Sequence, residues 1–314
     1  MKRLTILSFG AGQDSTCILY RIIRDPDFRQ RYVQGDFIVV MSNTGNEHPH
    51  TYRHIRFIKT LCSDHHIPFF FLNSSMGYHP RTWLSLIYQY RRNNNIMSLM
   101  FPRTCTDNLK IKPIYNFLDH YIAQTYYGYQ GTAIPKGKKY IKRFSSEYGK
   151  IRIILGIAAG EEKRIKKTNR KTLLARQLNL FQKQKRTQPV WMEASIQKVY
   201  PLIEQSMDRQ ACQQYILQTG WPLPYPSNCM MCPFISKPEL LWLFRNLPAE
   251  FYKWVVYEQN KKKRFNNRTV NYGVKGGKTL SEILQEAIAE FGHMSDQELD
   301  QYKMSHGHCV QSSF

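Results

Sequence analysis

Two stretches of this sequence hold reactive side chains at spacings that do chemistry. The first is Ser8-Phe9-Gly10-Ala11-Gly12-Gln13-Asp14-Ser15-Thr16, where glycines alternate with hydroxyls ahead of a carboxylate. Glycines let a backbone approach an anion closely, and the free N–H groups of a turn that opens a helix supply positive potential. Ser15 and Thr16 add hydroxyls, and Asp14 either orients the loop, helps hold Mg2+ or caps the helix. The phosphates of a nucleotide are what this chemistry suits. No Lys follows Gly12, which excludes a Walker loop, and Ser at position 15 excludes the dinucleotide fingerprint. The second stretch is Asn228-Cys229-Met230-Met231-Cys232-Pro233. Two thiolates at this spacing match the bite of a tetrahedral metal. Cys105 and Cys212 would complete four ligands for Zn2+ or an iron-sulfur cluster, while a redox pair serving sulfur relay and two inert buried thiols stay open.

Other residues join by position. Arg103, Lys110 and Arg164 are candidate phosphate ligands, and Glu161 and Glu162 are placed to position magnesium or substrate. His48 and His50 are metal or proton-transfer candidates, although two histidines in a polar loop are more often surface residues. Cys17 and Cys62 fall on apolar helix faces and read as core. Cys309, near His306 and His308, sits in a polar tail.

The elements that must position these groups alternate in type. Leu4 to Ser8, Asp36 to Met41 and Pro68 to Leu72 read as strands, with Thr51 to Cys62 helical between the last two, and Ile151 to Ile157 reads as a further strand. This β-α-β-α-β order implies a doubly wound, mostly parallel sheet whose ligands bind beyond the carboxyl ends of the strands. Residues 125–148, rich in Gly, Lys and Tyr, read as an insertion or flap without fixed structure. From Pro201 onward the chain is helical and aromatic, over Leu240–Phe244, Phe251–Gln259 and Leu280–Phe291. The division expected is a nucleotide-binding α/β domain over 1–200, with a basic insertion around 125–186, and a helical region over 201–314 carrying the cysteine knuckle.

In order along the chain, these motifs resemble the PP-loop ATP pyrophosphatases, or adenine nucleotide alpha hydrolases, and within them the phosphoadenosine-phosphosulfate reductase-like branch. Gly10 stands where that loop usually has its first Ser. Asn43-Thr44-Gly45 is similar to a rim segment that lies near the adenosine and carries Asp where Asn43 stands. Arg103-Thr104-Cys105-Thr106-Asp107-Asn108-Leu109-Lys110-Ile111-Lys112-Pro113 resembles a Cys-Cys-x-x-x-Lys-x-x-Pro segment, with Thr106 replacing the second cysteine. Gly156 to Arg164 and Pro201-Leu202-Ile203 follow in register. The resemblance covers roughly residues 1–240 and implies a Rossmann-like sheet that binds ATP and Mg2+ through Ser8, Gly10, Gly12, Asp14, Ser15, Thr16, Asn43, Thr44, Gly45, Arg103, Gly156 and Arg164. Asp14, Cys105, Lys110 and Glu161 are the candidate catalytic groups. The branch includes reductases and enzymes that activate nucleic acid for sulfur insertion. The tail His306-Gly307-His308-Cys309 does not match the reductases' Glu-Cys-Gly-x-His segment.

Charge points to the partner. The 314 residues carry 45 Lys and Arg against 23 Asp and Glu, a formal charge of +22. Residues 136–186 hold 17 basic and 3 acidic residues, Lys138, Lys139, Lys142, Arg143, Lys166, Lys167, Arg170 and Lys171 among them, and Lys261-Lys262-Lys263-Arg264 forms a further cluster. Such excess favours a polyanion, either tRNA or DNA. The expectation is an ATP-dependent enzyme that adenylylates a nucleic acid group for sulfur transfer, aided by a sulfur-donor protein and able to form a homodimer. A sulfonucleotide reductase and a catalytically silent nucleic-acid-binding protein are the alternatives. With no long apolar run and 7 cysteines, the chain reads as cytoplasmic, with no membrane partner.

Overall fold

Runs such as Leu4-Thr5-Ile6-Leu7 and Phe37-Ile38-Val39-Val40-Met41 are buried without a break, which requires a sheet covered on both faces. The computed structural model describes residues 2–101, 104–165 and 189–306 and shows that arrangement. Strands β1 (Leu4–Ser8), β2 (Asp36–Ser42), β3 (Phe69–Leu72), β4 (Ile151–Leu155) and β5 (Ile196–Val199) form one sheet in the order β3-β2-β1-β4-β5. Every pairing is parallel, with Ile6 opposite Ile38 on one side and Ile153 on the other. Strand order reverses at β1 and β4, and the connections leaving those neighbours part to opposite faces, opening a crevice at the carboxyl edge.

Helices α1 (Gln13–Arg24), α2 (Pro26–Tyr32) and α3 (Pro49–Asp64) cover one face, burying Ile18, Leu19, Phe28 and Ile58 against Leu7, Val39 and Ile154. After α4 (Leu86–Asn93), helices α5 (Lys112–Tyr127), α6 (Lys139–Tyr148) and α7 (Val190–Ser195) cover the other face over Ile6, Val40 and Ile153. Helix α6 overturns the expectation of an unstructured flap. Ile141 and Phe144 are fully buried against the sheet layer, and the Asp119 carboxylate accepts the N–H groups of Tyr140 and Ile141 at 2.9 and 2.8 Å, fixing the first turn.

A short helix α8 (Pro201–Glu204) follows β5, and α9 (Arg209–Gln218) returns to the first face beside α1. The remaining helices, α10 (Lys237–Asn246), α11 (Pro248–Arg264), α12 (Leu280–Phe291) and α13 (Asp296–Ser305), enclose a separate core of Leu240, Leu243, Trp254, Leu284 and Leu299, to which α4 adds Leu86 and Tyr90. Reciprocal capping boxes, Ser236 with Glu239, Thr279 with Glu282 and Ser295 with Glu298, start α10, α12 and α13. Among the described residues no helix is long and apolar enough to cross a membrane.

Phe144→Ala is expected to cost about 3–5 kcal/mol of stability through the cavity it leaves, read as a lowered midpoint in urea unfolding. An unchanged midpoint would mean that α6 does not pack as described.

Candidate active site

At the carboxyl edge β1 runs out into Phe9 and Gly10, and the chain must turn into α1 within three residues. Ala11 takes up the left-handed region at φ 57°, and Ser15 closes the turn, accepting from Gly10 N at 3.2 Å and donating to Gly12 O at 3.2 Å. Two glycines permit contacts nothing larger would allow. A Cβ on Gly156, just past β4, would lie 2.8 Å from Ser15 N, and one on Gly12 would lie 3.0 Å from Ser227 N.

These approaches frame a cavity of about 280 Å3 at the β1–β4 reversal. Its lining is of two kinds. Ser8, Gly10, Gly12, Asp14 and Ser15 meet the cations Lys110, Arg164 and Arg209, while Met41, Ile111, Ile114, Tyr115, Leu155 and Ile157 supply an apolar wall. A polar floor rich in N–H groups and cations beside an apolar wall suits a phosphorylated nucleoside. Lys110 arrives on a π-helical turn, Asp107–Ile111, tied to the end of β2 by Ser42 Oγ donating to Leu109 O at 2.6 Å.

Two of the cations are organised by one carboxylate. Glu161 accepts from Arg164 Nη1 at 2.6 Å and from Arg209 Nη2 at 2.7 Å, so it positions two arginines and is spent as a metal ligand. Glu162 is taken up with Gly160 N at 2.9 Å. Arg209 Nε also stands 3.9 Å from Asp14 Oδ1, an oxygen with no hydrogen-bond donor among the described residues. Burial pushes the Asp14 carboxyl up to about 6, with Arg209 opposing and Glu161 reinforcing that rise. A buried carboxylate oxygen without a donor, on the cavity wall, fits a magnesium ligand of the hard-oxygen type.

The structure therefore gathers Ser8, Gly10, Gly12, Asp14, Ser15, Lys110, Gly156 and Arg164 around one cavity. Thr16 is not in the lining: it is buried, with its hydroxyl 3.0 Å from His54 Nε2. Neither are Asn43, Thr44 and Gly45. The Asn43 amide oxygen accepts from Gly45 N at 2.9 Å and Tyr52 OH at 3.0 Å, and Thr44 donates to Glu47 at 2.8 Å. Arg103, Lys166, Lys167, Arg170, Lys171 and Cys309 lie outside the described residues.

The rim loop serves the knuckle. Asn46, buried, accepts Met230 N through its carbonyl at 2.9 Å and Met231 N through its side chain at 2.8 Å, so both residues between the cysteines hang from it. Cys229 Sγ donates to Thr44 Oγ1 at 3.3 Å. Burial first, then Glu47, holds the Cys229 thiol well above its ordinary range, with Lys110 opposing. Cys232, Cys105 and Cys229 all act on the buried phenol of Tyr90, whose OH donates to Met231 O at 3.1 Å. Cys212 does not join them: it is fully buried beside Cys17 between α1 and α9. Among the described residues no group of three or more His, Cys, Asp or Glu side chains is disposed to hold a metal ion. The four-cysteine set is thus not assembled.

The histidines depart from a surface reading. His48 is fully buried and stacks on His50 with centroids 4.8 Å apart, and His50 stacks on Tyr225 at 4.2 Å. Lys303 of α13 reaches in to 3.4 Å from His48 Nε2 and lies over the Trp242 ring. Burial, then Lys303 and Arg53, pushes His50 down to about 3, so the imidazole is neutral. Sequence reasoning missed Gln13, Ser227 and Arg209 as site residues. Only the Asp208-Arg209 pair after Pro201-Leu202-Ile203 offered a signal, and its place in the cavity depends on Ala159 N bonding Met207 O at 2.8 Å.

Asp14→Asn gives a stability test with a definite sign. A carboxyl raised from 3.8 to about 6 keeps its proton in the folded chain after the unfolded chain has lost it, so its stabilising contribution is complete below the lower value and lost as pH rises through the upper. The variant is expected to melt above wild type at pH 7–8, with the difference closing by about pH 4. A constant difference across that range would contradict the buried, unpaired carboxylate.

No protein-family model matches the chain, nor does any curated protein. Among solved structures it is similar to the U34-tRNA thiolase NcsA from Methanococcus maripaludis with its [4Fe-4S] cluster, at 11% identity and a TM-score of 0.36, over 94% of this chain and 75% of that one. A likeness so distant carries no weight for function, and the parallel sheet and its crevice stand on their own geometry.

Proposed function

We propose that this chain is an ATP-using enzyme of the PP-loop kind, which adenylylates a group on nucleic acid and releases pyrophosphate before a sulfur or other nucleophile displaces AMP. One observation carries the reading: the Gly10–Ser15 turn, at the β1–β4 reversal, opens onto the same cavity as Asp14, Lys110, Arg164 and Arg209. The turn's N–H groups and the three cations would hold the triphosphate and take up charge as pyrophosphate leaves. When bound, Mg2+ would supply further charge neutralisation, with Asp14 its ligand from this chain. An acceptor oxygen on the nucleic acid attacks the α-phosphorus as the bond to pyrophosphate breaks. The apolar wall suits the adenosine and keeps water from competing.

Cys229 and Cys232 follow Ser227, which lines the cavity and approaches Gly12, while neither cysteine is in that lining, so a sulfur carried there would have to swing towards the activated group. Burial holds Cys229 as a protonated thiol in its present surroundings, so it would have to give up that proton before it could take up or pass on sulfur. For the partner, Lys139, Lys142 and Arg143 are exposed on α6. Lys138 is not free in that sense: it is half-buried and donates to Asn116. Arg143 is paired with Glu147 at 2.7 Å.

The deciding assay is pyrophosphate release from Mg-ATP with total tRNA, with duplex DNA and with neither. Stimulation by one nucleic acid is expected, and Asp14→Ala should lower the stimulated rate roughly 100-fold or more. Gly156→Ala, whose methyl group would press on Ser15 backbone, should cost about 1–3 kcal/mol of stability and weaken ATP binding. Bound ATP with no release under any condition would overturn the adenylylation reading.

A further inference from the structure

The last turn of α11 and the chain after it form a surface that the nucleotide cavity does not use. Buried charges fasten it. The Glu258 carboxylate, 1% exposed, accepts Val274 N and Leu280 N, each at 2.7 Å. Lys261, 6% exposed, donates to Asn271 Oδ1 at 2.7 Å and to Tyr272 O, and Asn271 donates to Lys262 O at 2.7 Å. The segment before Phe101 is tied to the same turn by Ser98 Oγ donating to Gly273 O at 2.7 Å and Leu99 N to Val274 O at 3.0 Å. Burying a carboxylate and an ammonium is costly, yet they hold in place a turn whose neighbours lie open to water. Phe101 is 54% exposed and meets the Tyr272 ring edge-on at 6.2 Å.

Cations gather at the end of α11, around Phe265. Lys263, Arg264 and Arg268 are exposed, and the Arg268 guanidinium lies 4.4 Å over Phe265. The exposed Arg91, at the end of α4, reaches the same helix by donating to Tyr257 OH at 3.1 Å. Lys263 and Arg268 form no ion pair with another side chain among the described residues.

We propose that this surface, running from Phe101 and Tyr272 to Phe265 and the exposed Lys263, Arg264 and Arg268 at the end of α11, docks an unpaired loop of RNA, with a base stacked on Phe101 and the backbone phosphates met by the cations. The inference rests on the nucleic-acid reading of the cavity and adds where and in what form the substrate is held. Aromatic faces interleaved with cations fit splayed bases, every one of which has a π-face. A duplex hides its bases and would call for the cations alone.

The test uses the whole protein and fluorescence anisotropy with a labelled RNA stem-loop, the same stem as a blunt duplex, and duplex DNA of equal length. Wild type is expected to prefer the stem-loop. Phe101→Ala should weaken stem-loop binding roughly ten- to a hundredfold and leave both duplexes unchanged, and Phe101→Trp should retain affinity. The double variant Lys263→Glu, Arg268→Glu should weaken stem-loop binding and flatten its salt dependence. Three results overturn the proposal: equal binding of stem-loop and duplex by wild type, no loss in Phe101→Ala, or no measurable binding of the stem-loop. Pyrophosphate release measured alongside separates it from the reaction. Stem-loop preference lost in Phe101→Ala, with no ATP cleavage by wild type, leaves the docking surface standing and removes adenylylation. RNA-stimulated cleavage with an unaltered KM for RNA in Phe101→Ala does the reverse.

Discussion

The constraint on which the cavity depends lies between two stretches of backbone. The carboxyl end of β4 passes the first turn of α1 so nearly that a methyl group on Gly156 would press on Ser15 N. This contact seats β4 beside β1 at the reversal of strand order, and it sets the opening angle of the turn from Gly10 to Thr16. The cavity exists because both chains then diverge, one into α1 and the other towards Glu161. Side chains elsewhere refine that space, but none of them creates it.

Electrostatic order in the cavity follows from where carboxylates are spent. Glu161 holds Arg164 and Arg209 at hydrogen-bond distance, so two guanidinium groups are fixed before an anion arrives and need little rearrangement to receive it. Asp14 is left with an oxygen lacking a donor among the described residues. The knuckle works by the opposite logic. Asn46 templates its backbone while burial keeps Cys229 protonated, so its sulfur is shielded rather than activated.

What was legible in the sequence follows from how strongly burial marks it. The continuous apolar runs of β1 and β2 and the heavily apolar α12 stand out because each faces a core. Helix α6 was hidden, since only Ile141 and Phe144 of its residues are fully buried and its Gly- and Lys-rich approach resembles a loop. The loop residues Gly10 to Ser15 were found by type and spacing, but spacing says nothing of which way each hydroxyl turns, and Thr16 turns to His54. Counting cysteines brought in Cys212, a free thiol that hydrogen-bonds with Cys17 in the sheet-face core. Arg209 lies far along the chain from the groups it joins, a distance that only tertiary structure closes.

The same long-range closure reaches the far helix of the fold. Gln13, in the first turn of α1, donates to Pro224 O at 3.1 Å and to Met304 O at 3.0 Å, and Gln213 ties the same carbonyl back to Gln13. Next to it, Lys303 is sealed under Trp242. The parallel sheet through β5 can form while the ribosome is still at work, but the first turn of α1 has its full set of partners only after residue 304 has left the exit tunnel. Completion of the cavity is thereby a late step of folding, and a chain lacking α13 would carry the loop without its final brace.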